Sequence, residues 1–361
     1  MMELTNPVEA ASVLNGMVGQ RFAREILQSS IARSVHAYLF VGPAGTGKLA
    51  SAKAFASALV CPFGGCGSCA SCRDASLGMH PDITVFERQG AAISIDEARE
   101  ISLVAQRSPN ASSRQVLILT DFHLVAGAAP ALLKTIEEPP PSTVFIVVAD
   151  TLPASLVTIA SRCVTVPFHS IGVEAITEAL VEEGCVRALA SSVAAASFGN
   201  IDRARLLVGD LGFRERQDRW RAVPNRLDGT GASVAKTVTE LLAGVEEIVV
   251  VVRERQQAEL LEYEAAAKIA GDRRVFGLKG IEERHKREQR RVRTDELRSG
   301  LATLAGVYLS QLAAPQVTPR RIAALEEACR AIDEAAKYLS RNPNETLLLQ
   351  SLFVRLGDLS A

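Results

Sequence analysis

The sequence predicts an α/β domain built on a parallel sheet, followed by a small helical domain and then an all-helical one. Three observations carry that prediction. Between His36 and about Phe168, short β-rich apolar runs alternate with helical stretches. After Pro167 the strand signals stop. The chain has 361 residues, more than one hydrophobic core usually organises, and 48% of them are apolar, which is ample for packed cores.

The strand candidates are 38–41, 83–86, 116–119, 144–148 and 164–166, with helix-like segments at 49–59, 95–105 and 129–137. Strands that read as near-continuous apolar runs, separated by helices, imply a parallel sheet covered on both faces. Residues 172–208 read as a few short helices with Gly184 and Gly199 as breaks. From about Asp210 the chain is helical throughout. Long helices at 243–270 and 281–312 are interrupted by a Gly- and basic-rich stretch at 271–280, and Pro315 and Pro319 precede a final pair at 320–339 and 345–359. The expected domains are 1–169, nucleotide-binding-like with an inserted module at 61–72; 170–210, a helical lid; and 211–361, a helical collar for oligomerisation.

A formal net charge of -1 excludes a globally basic nucleic-acid binder, although a local basic face remains open. No apolar run reaches the ~18 residues that a membrane span needs. The opening residues lack the basic-then-apolar layout of a secretory signal, so a cytoplasmic protein is expected. In a reducing compartment, cysteines that cluster point to metal and isolated ones to core packing.

Between the first strand and the helix after it lies Gly42-Pro43-Ala44-Gly45-Thr46-Gly47-Lys48. This is the context of a phosphate-binding loop. Glycines let backbone N–H groups turn inward around phosphate oxygens, the helix N-terminus adds partial positive charge, and Lys48 supplies a full one. The next position should offer a Ser or Thr hydroxyl to Mg²⁺, but here it is Leu49. Ser51 lies two residues further round the helix and is a poor substitute. A later strand should be followed by two acids, one for Mg²⁺ and one to activate water. After 116–119 the chain reads Thr120-Asp121-Phe122-His123. If Asp121 occupies the water-activating place, Thr120 stands where the metal-binding Asp should be. Gly42, Gly45, Thr46, Gly47, Lys48, Leu49 and Asp121 thus form a degenerate nucleotide site, expected to bind ATP or ADP weakly or not at all and not to hydrolyse it.

Cys61-x4-Cys66-x2-Cys69-x2-Cys72 places four thiols within twelve residues, with Gly64, Gly65 and Gly67 among them for tight turns. Tetrahedral Zn²⁺ needs such short, flexible spacing, and four protein ligands make a closed, structural site. His80 is surplus to that count. The densely charged segment 282–293 has a modest basic excess, and it is read as a solvated helix face laced with i,i+4 pairs such as Glu283–Arg287, or as a protein contact. No aromatics interleave there to stack on bases.

Taken in order, several stretches resemble the bacterial clamp-loader family of AAA+ proteins. They are Val18-Gly19-Gln20, His36-Ala37-Tyr38-Leu39-Phe40, the four-cysteine excursion after the loop helix, Ala131-Leu132-Leu133-Lys134-Thr135-Ile136-Glu137-Glu138-Pro139-Pro140, and Ser161-Arg162-Cys163. The resemblance covers about residues 15–168. It implies an AAA+ fold with lid and collar domains, and a role in DNA replication beside the motor subunits (gamma/tau) and the delta subunit. The sliding clamp and primer–template DNA would be met through the complex. It also implies that Arg162 reaches across a subunit boundary to the γ-phosphate of ATP held by a neighbour, as an arginine finger. Motor subunits of the family carry the hydroxyl and both acids that are absent here, so the chain looks like a non-hydrolysing type. Two departures agree. The cis γ-phosphate sensor falls near Ala149-Asp150-Thr151, where an acid repels phosphate, and Arg203 in Gly199-Asn200-Ile201-Asp202-Arg203 is offset by one from the lid arginine. Val18-Gly19-Gln20 would lie beside the adenine. The alternatives are an active motor subunit of the same family and a P-loop kinase or metabolic enzyme with a zinc module; no general-base constellation supports the latter.

Overall fold

Every residue of the strands at 115–119 and 143–149 is buried, and that follows from how their side chains divide between two faces. The computed structural model describes residues 12–87, 93–125, 129–269, 278–313, 318–341 and 343–360. Strands β1 (Ala37–Val41), β2 (Ile83–Phe86), β3 (Gln115–Leu119), β4 (Thr143–Ala149) and β5 (Val164–Pro167) form one parallel sheet in the order β2-β3-β4-β1-β5. Side chains alternate along each strand. Leu39, Leu117, Leu119, Phe145 and Val147 therefore enter one core, while Tyr38, Phe40, Val116, Ile118 and Ile146 enter the other. Apolar residues at consecutive positions are the requirement of a sheet with no wet face.

Helices α1 (Arg21–Ala32) and α2 (Lys48–Val60) cover one face, through Ala23, Leu27, Ala52, Phe55, Ala56 and Leu59. A short α3 (Ala70–Ser76) follows the cysteine-rich segment. On the other face lie α4 (Ile95–Ala105), α5 (Ala129–Glu137) and α6 (Val157–Ala160), with Ile101, Ile136 and Ile159 pointing inward. The start of α4 is set by a capping box. Ser94 Oγ accepts from the Glu97 N–H at 3.2 Å, and the Glu97 carboxylate accepts from the Ser94 N–H at 2.6 Å. The strands and the helices 95–105 and 129–137 stand where the sequence places them. Helix α1 was not anticipated; its pattern is amphipathic and half polar, so no continuous apolar run marks it.

Helices α7 (Val173–Glu182), α8 (Arg187–Ala196) and α9 (Ile201–Val208) follow the sheet. The chain divides into two compact units, Met1–Val208 and Gly209–Ala361. The second is helical: α10 (Phe213–Arg221), α11 (Val223–Arg226), α12 (Gly231–Ile269), α13 (Leu278–Leu312), α14 (Pro319–Tyr338) and α15 (Glu345–Ser360). Much of the interrupting stretch expected at 271–280, and Pro315, lie outside the described residues. Leu241, Leu301, Leu304, Leu325, Ile332, Leu352 and Phe353 surround Trp220 in the core of this unit.

Gly300 on α13 allows Trp220 to sit there. A Cβ at that position would lie 1.9 Å from the indole. Gly300→Ala should therefore overpack the core and destabilise the chain by about 1–3 kcal/mol, read as a lowered urea midpoint in equilibrium unfolding. An unchanged midpoint would mean that the helices can separate at no cost.

Candidate phosphate loop and cysteine site

Strand β1 is central, and the loop that leaves its carboxyl end turns directly into α2, with Gly47 as the N-cap and Lys48 as the first helical residue. The conformation requires glycine at Gly45. Its φ is +73°, and a Cβ there would meet the Asn200 side chain at 2.0 Å. The same crest is tied to α9 by the Ile201 N–H, which donates to Gly45 O at 3.0 Å. Gln20 staples the loop from beneath, its Nε2 donating to His169 O at 2.6 Å and to Thr46 O at 3.4 Å. Next to these residues is a pocket of about 230 Å³ lined by Val13, Met17, Val18, Gln20, Ile171 and Ile201, with Ser51, Asp202 and Arg205 also at its wall.

Lys48 is turned inward. Its Nζ donates to Gly42 O at 2.6 Å and Pro43 O at 2.5 Å, and pairs with Asp150 Oδ1 at 2.9 Å. Asp150 directly follows β4, the strand beside β1, with Ala149 in register with Val41. That pairing depends on strand order, and no local pattern in the sequence shows it. Leu49 packs into the apolar core of its face of the sheet. The Thr120 hydroxyl donates to Phe86 O at 3.1 Å on the neighbouring strand, so it is committed to the sheet. Asp121 takes a left-handed conformation (φ +50°) and opens a 3₁₀ turn at Phe122–Leu124, and His123 Nδ1 from that turn accepts the Asp150 N–H at 3.2 Å.

Arg162 lies between α6 and β5. Its Nη1 donates to Thr158 O at 2.9 Å, and its Nε pairs at 2.9 Å with Glu137, the last residue of α5. The Arg162 side chain is about one-third exposed. Arg203 is buried and turned away from the loop, its Nε donating to Ala196 O at 3.2 Å. The arginine that reaches the pocket wall is Arg205, held by Glu183 through Nε at 3.0 Å and Nη2 at 2.6 Å. Glu137, His123, Asn200 and Arg205 were not singled out from the sequence, because each acts through a tertiary partner.

The four cysteines of the excursion come together. Their sulfurs lie within 4.8 Å of one another, close enough to hold a metal ion. Cys61 Sγ is 3.9 Å from Cys66 Sγ and 3.6 Å from Cys69 Sγ. Thiolates placed tetrahedrally around an ion at a metal–sulfur bond of ~2.3 Å are about 3.8 Å apart, so the geometry fits. The backbone N–H groups of Phe63 and Cys72 donate to Cys61 and Cys69 sulfurs at 3.4 Å. His80 takes no part: buried, it bonds Ser71 Oγ through Nε2 and accepts the Asp82 N–H at Nδ1. Backbone N–H groups of Ser68 and Cys69, with the Ser68 hydroxyl, hold the Cys66 thiol down at about 6, whereas burial pushes Cys72 up to about 12.

In the second unit, the charged segment 282–293 pairs across to α12 rather than only along its own helix. His285 Nε2 lies 2.9 Å from Glu259, Gln256 Nε2 donates to Glu288 at 2.6 Å, and Arg293 Nη1 pairs with Glu246 at 2.7 Å. Arg255–Glu288 and Arg284–Glu259 pair likewise. The Glu283 side chain of the anticipated Glu283–Arg287 pair lies outside the described residues.

The sheet order, the loop between its central strand and α2, and the helices that follow define a P-loop AAA+ module. Residues 19–172 match the family described as DNA polymerase III, delta subunit. The DNA polymerase III subunit tau of Bacillus subtilis is 35% identical over 215 residues, covering 55% of this chain and 37% of that protein. The subunit delta' of Bacillus subtilis is 34% identical over 155 residues (42% of this chain, 47% of that one), and that of Pseudomonas aeruginosa 35% over 163 (42% and 50%). The chain thus spans half or less of the length of these relatives. Among solved structures, a gamma subunit-related protein of Thermotoga maritima covers 94% of this chain and all of its own, at 13% identity and a TM-score of 0.42. Over the part that these matches cover, the chain is similar to subunits of DNA polymerase III. Among the described residues, no helix is long and apolar enough to cross a membrane.

The low-lying Cys66 thiol has a measurable consequence. Depressed from the ordinary 9.0, it is a thiolate above about pH 6, so in metal-stripped protein its alkylation should level off by about pH 7. Cys72 and Cys163, both pushed up to about 12 by burial, should stay slow. Mass spectrometry of iodoacetamide-treated protein between pH 5 and 9 reads the order, and a Cys66 rate still climbing at pH 9 would refute it.

Proposed function

We propose that this chain is the delta-prime subunit of a bacterial DNA polymerase III clamp loader. It is a structural subunit that does not hydrolyse ATP and lends Arg162 to the site of an adjoining motor subunit. The observation that carries this reading lies at positions 49 and 120, the two expected to serve magnesium. Leu49 has no oxygen to give, and the Thr120 hydroxyl is bound to Phe86 O. A triphosphate without its metal lacks the charge neutralisation that phosphoryl transfer demands. Arg162 supports the second half of the proposal: it stands at the mouth of β5, partly exposed, with Glu137 holding it by one edge. A planar guanidinium so held can offer its remaining N–H groups to phosphate oxygens.

On this reading residues 170–210 form a lid and 211–361 a collar that joins the ring. The partners are the gamma/tau motor subunits and delta, with the sliding clamp and primer–template DNA engaged through the complex, in the cytoplasm. The ion at Cys61, Cys66, Cys69 and Cys72 is Zn²⁺, for which an all-thiolate, four-coordinate site is a structural one. It pins the excursion that follows α2.

The match to tau subunits favours a second reading, an ATP-hydrolysing motor of the same loader. Turnover separates the two. The isolated chain should show no magnesium-dependent ATP hydrolysis above background, and sustained turnover would decide for the motor. In a reconstituted loader, Arg162→Ala should leave assembly intact while lowering ATPase by about 10³-fold at the site it serves. Full activity of that assembly would remove the finger role.

A further inference from the structure

The phosphate loop carries its own counter-charge. Lys48 has three N–H donors, and Gly42 O, Pro43 O and Asp150 Oδ1 offer three acceptors at 2.5–2.9 Å. The Lys48 side chain is only 4% exposed. Asp150 is fixed by backbone as well as side chain. It extends β4 beside the end of β1, where the Gly42 N–H donates to Ala149 O at 3.3 Å, and its own N–H is held by His123 Nδ1 at 3.2 Å. Two further polar groups of the loop are also occupied. Thr46 Oγ1 donates to Pro43 O at 2.9 Å, Gly45 O accepts from Ile201, and the Asn200 side chain lies over Gly45. By contrast, the adjoining pocket keeps about 230 Å³ of space and apolar walls from Val13, Met17, Val18 and Ile171. The occupied part of the loop is therefore the part around Lys48, while Thr46 and Gly47 border that open space.

We propose that Asp150 is the loop's built-in occupant, its carboxylate standing on Lys48 in place of a phosphate. The loop thereby keeps its folded shape without nucleotide and refuses di- and triphosphates. The inference rests on reading 42–48 as a nucleotide-type loop, and it goes beyond the missing magnesium ligands. Those prevent cleavage, whereas Asp150 prevents binding. An incoming polyphosphate would have to break the Lys48–Asp150 pair and then share the cavity with a carboxylate of its own sign. Both effects act against it.

The test is a calorimetric titration of the full chain with ADP and with ATP, each with and without Mg²⁺. Asp150→Asn keeps the shape and removes the charge, and it should bind either nucleotide about tenfold or more tightly than the unaltered chain. Adding Lys48→Ala to that variant should abolish the gain. Equal affinity of the unaltered chain and Asp150→Asn overturns the proposal. So does micromolar ATP binding by the unaltered chain, a measurement that needs no variant to fold. The two readings fail separately. ATP turnover by Asp150→Asn would sink the non-hydrolysing assignment and leave the role of Asp150 standing, while tight binding without turnover by the unaltered chain would do the reverse.

Discussion

An ammonium group withdrawn from water must find an acceptor for each of its hydrogens and a charge to answer its own. At Lys48 that constraint is met inside the chain, by two loop carbonyls and the Asp150 carboxylate. The sheet order makes it possible. β4 lies beside β1, so the residue that follows one strand meets the loop that follows the other. The neighbouring features share this origin at the carboxyl ends of the strands. Arg162 stands apart, before β5 at the amino edge of the sheet, whereas His123 and Thr120 follow β3 and Asp150 follows β4, at the carboxyl edge. Ligand sites of open parallel sheets gather at this edge.

Against that background, the two charged groups of most interest are held in opposite ways. Lys48 is enclosed and fully engaged by its own fold. Arg162 is anchored along one side by Glu137 and remains about one-third exposed. Under the function proposed above, Arg162 would act on a neighbour's phosphates while the chain's own loop is charge-satisfied. The relatives include both delta' and tau subunits.

The sheet was legible in the sequence because burial on both faces demands unbroken apolar runs, and 116–119 or 144–148 leave little room for another reading. The cysteine cluster was legible for a different reason: its four thiols lie within twelve residues, so their meeting is a local matter. Helix α1 escaped because only Ala23 and Leu27 of it are fully buried, with Ile26 and Ile31 half covered. The pairing of Lys48 with Asp150, separated by about a hundred residues, depends on strand order and had no local signature. The sequence shows an acid near the sensing position but not its partner. The charged segment 282–293 was read along its own helix, whereas Arg284, His285 and Arg293 find their carboxylates on α12. Periodicity reports which residues share a face and is silent about what that face meets.

Helix α2 joins the two centres of the first unit. Lys48 opens its first turn and Cys61 closes its last, 13 residues that span about 20 Å at 1.5 Å per residue. The helix is a strut clamped at both ends, by a charge pair at one and by a knot of sulfur at the other. Oxidation of the thiols would free the far end of that strut, and a redox insult to the knuckle would be felt as slack in a loop that contains no cysteine at all.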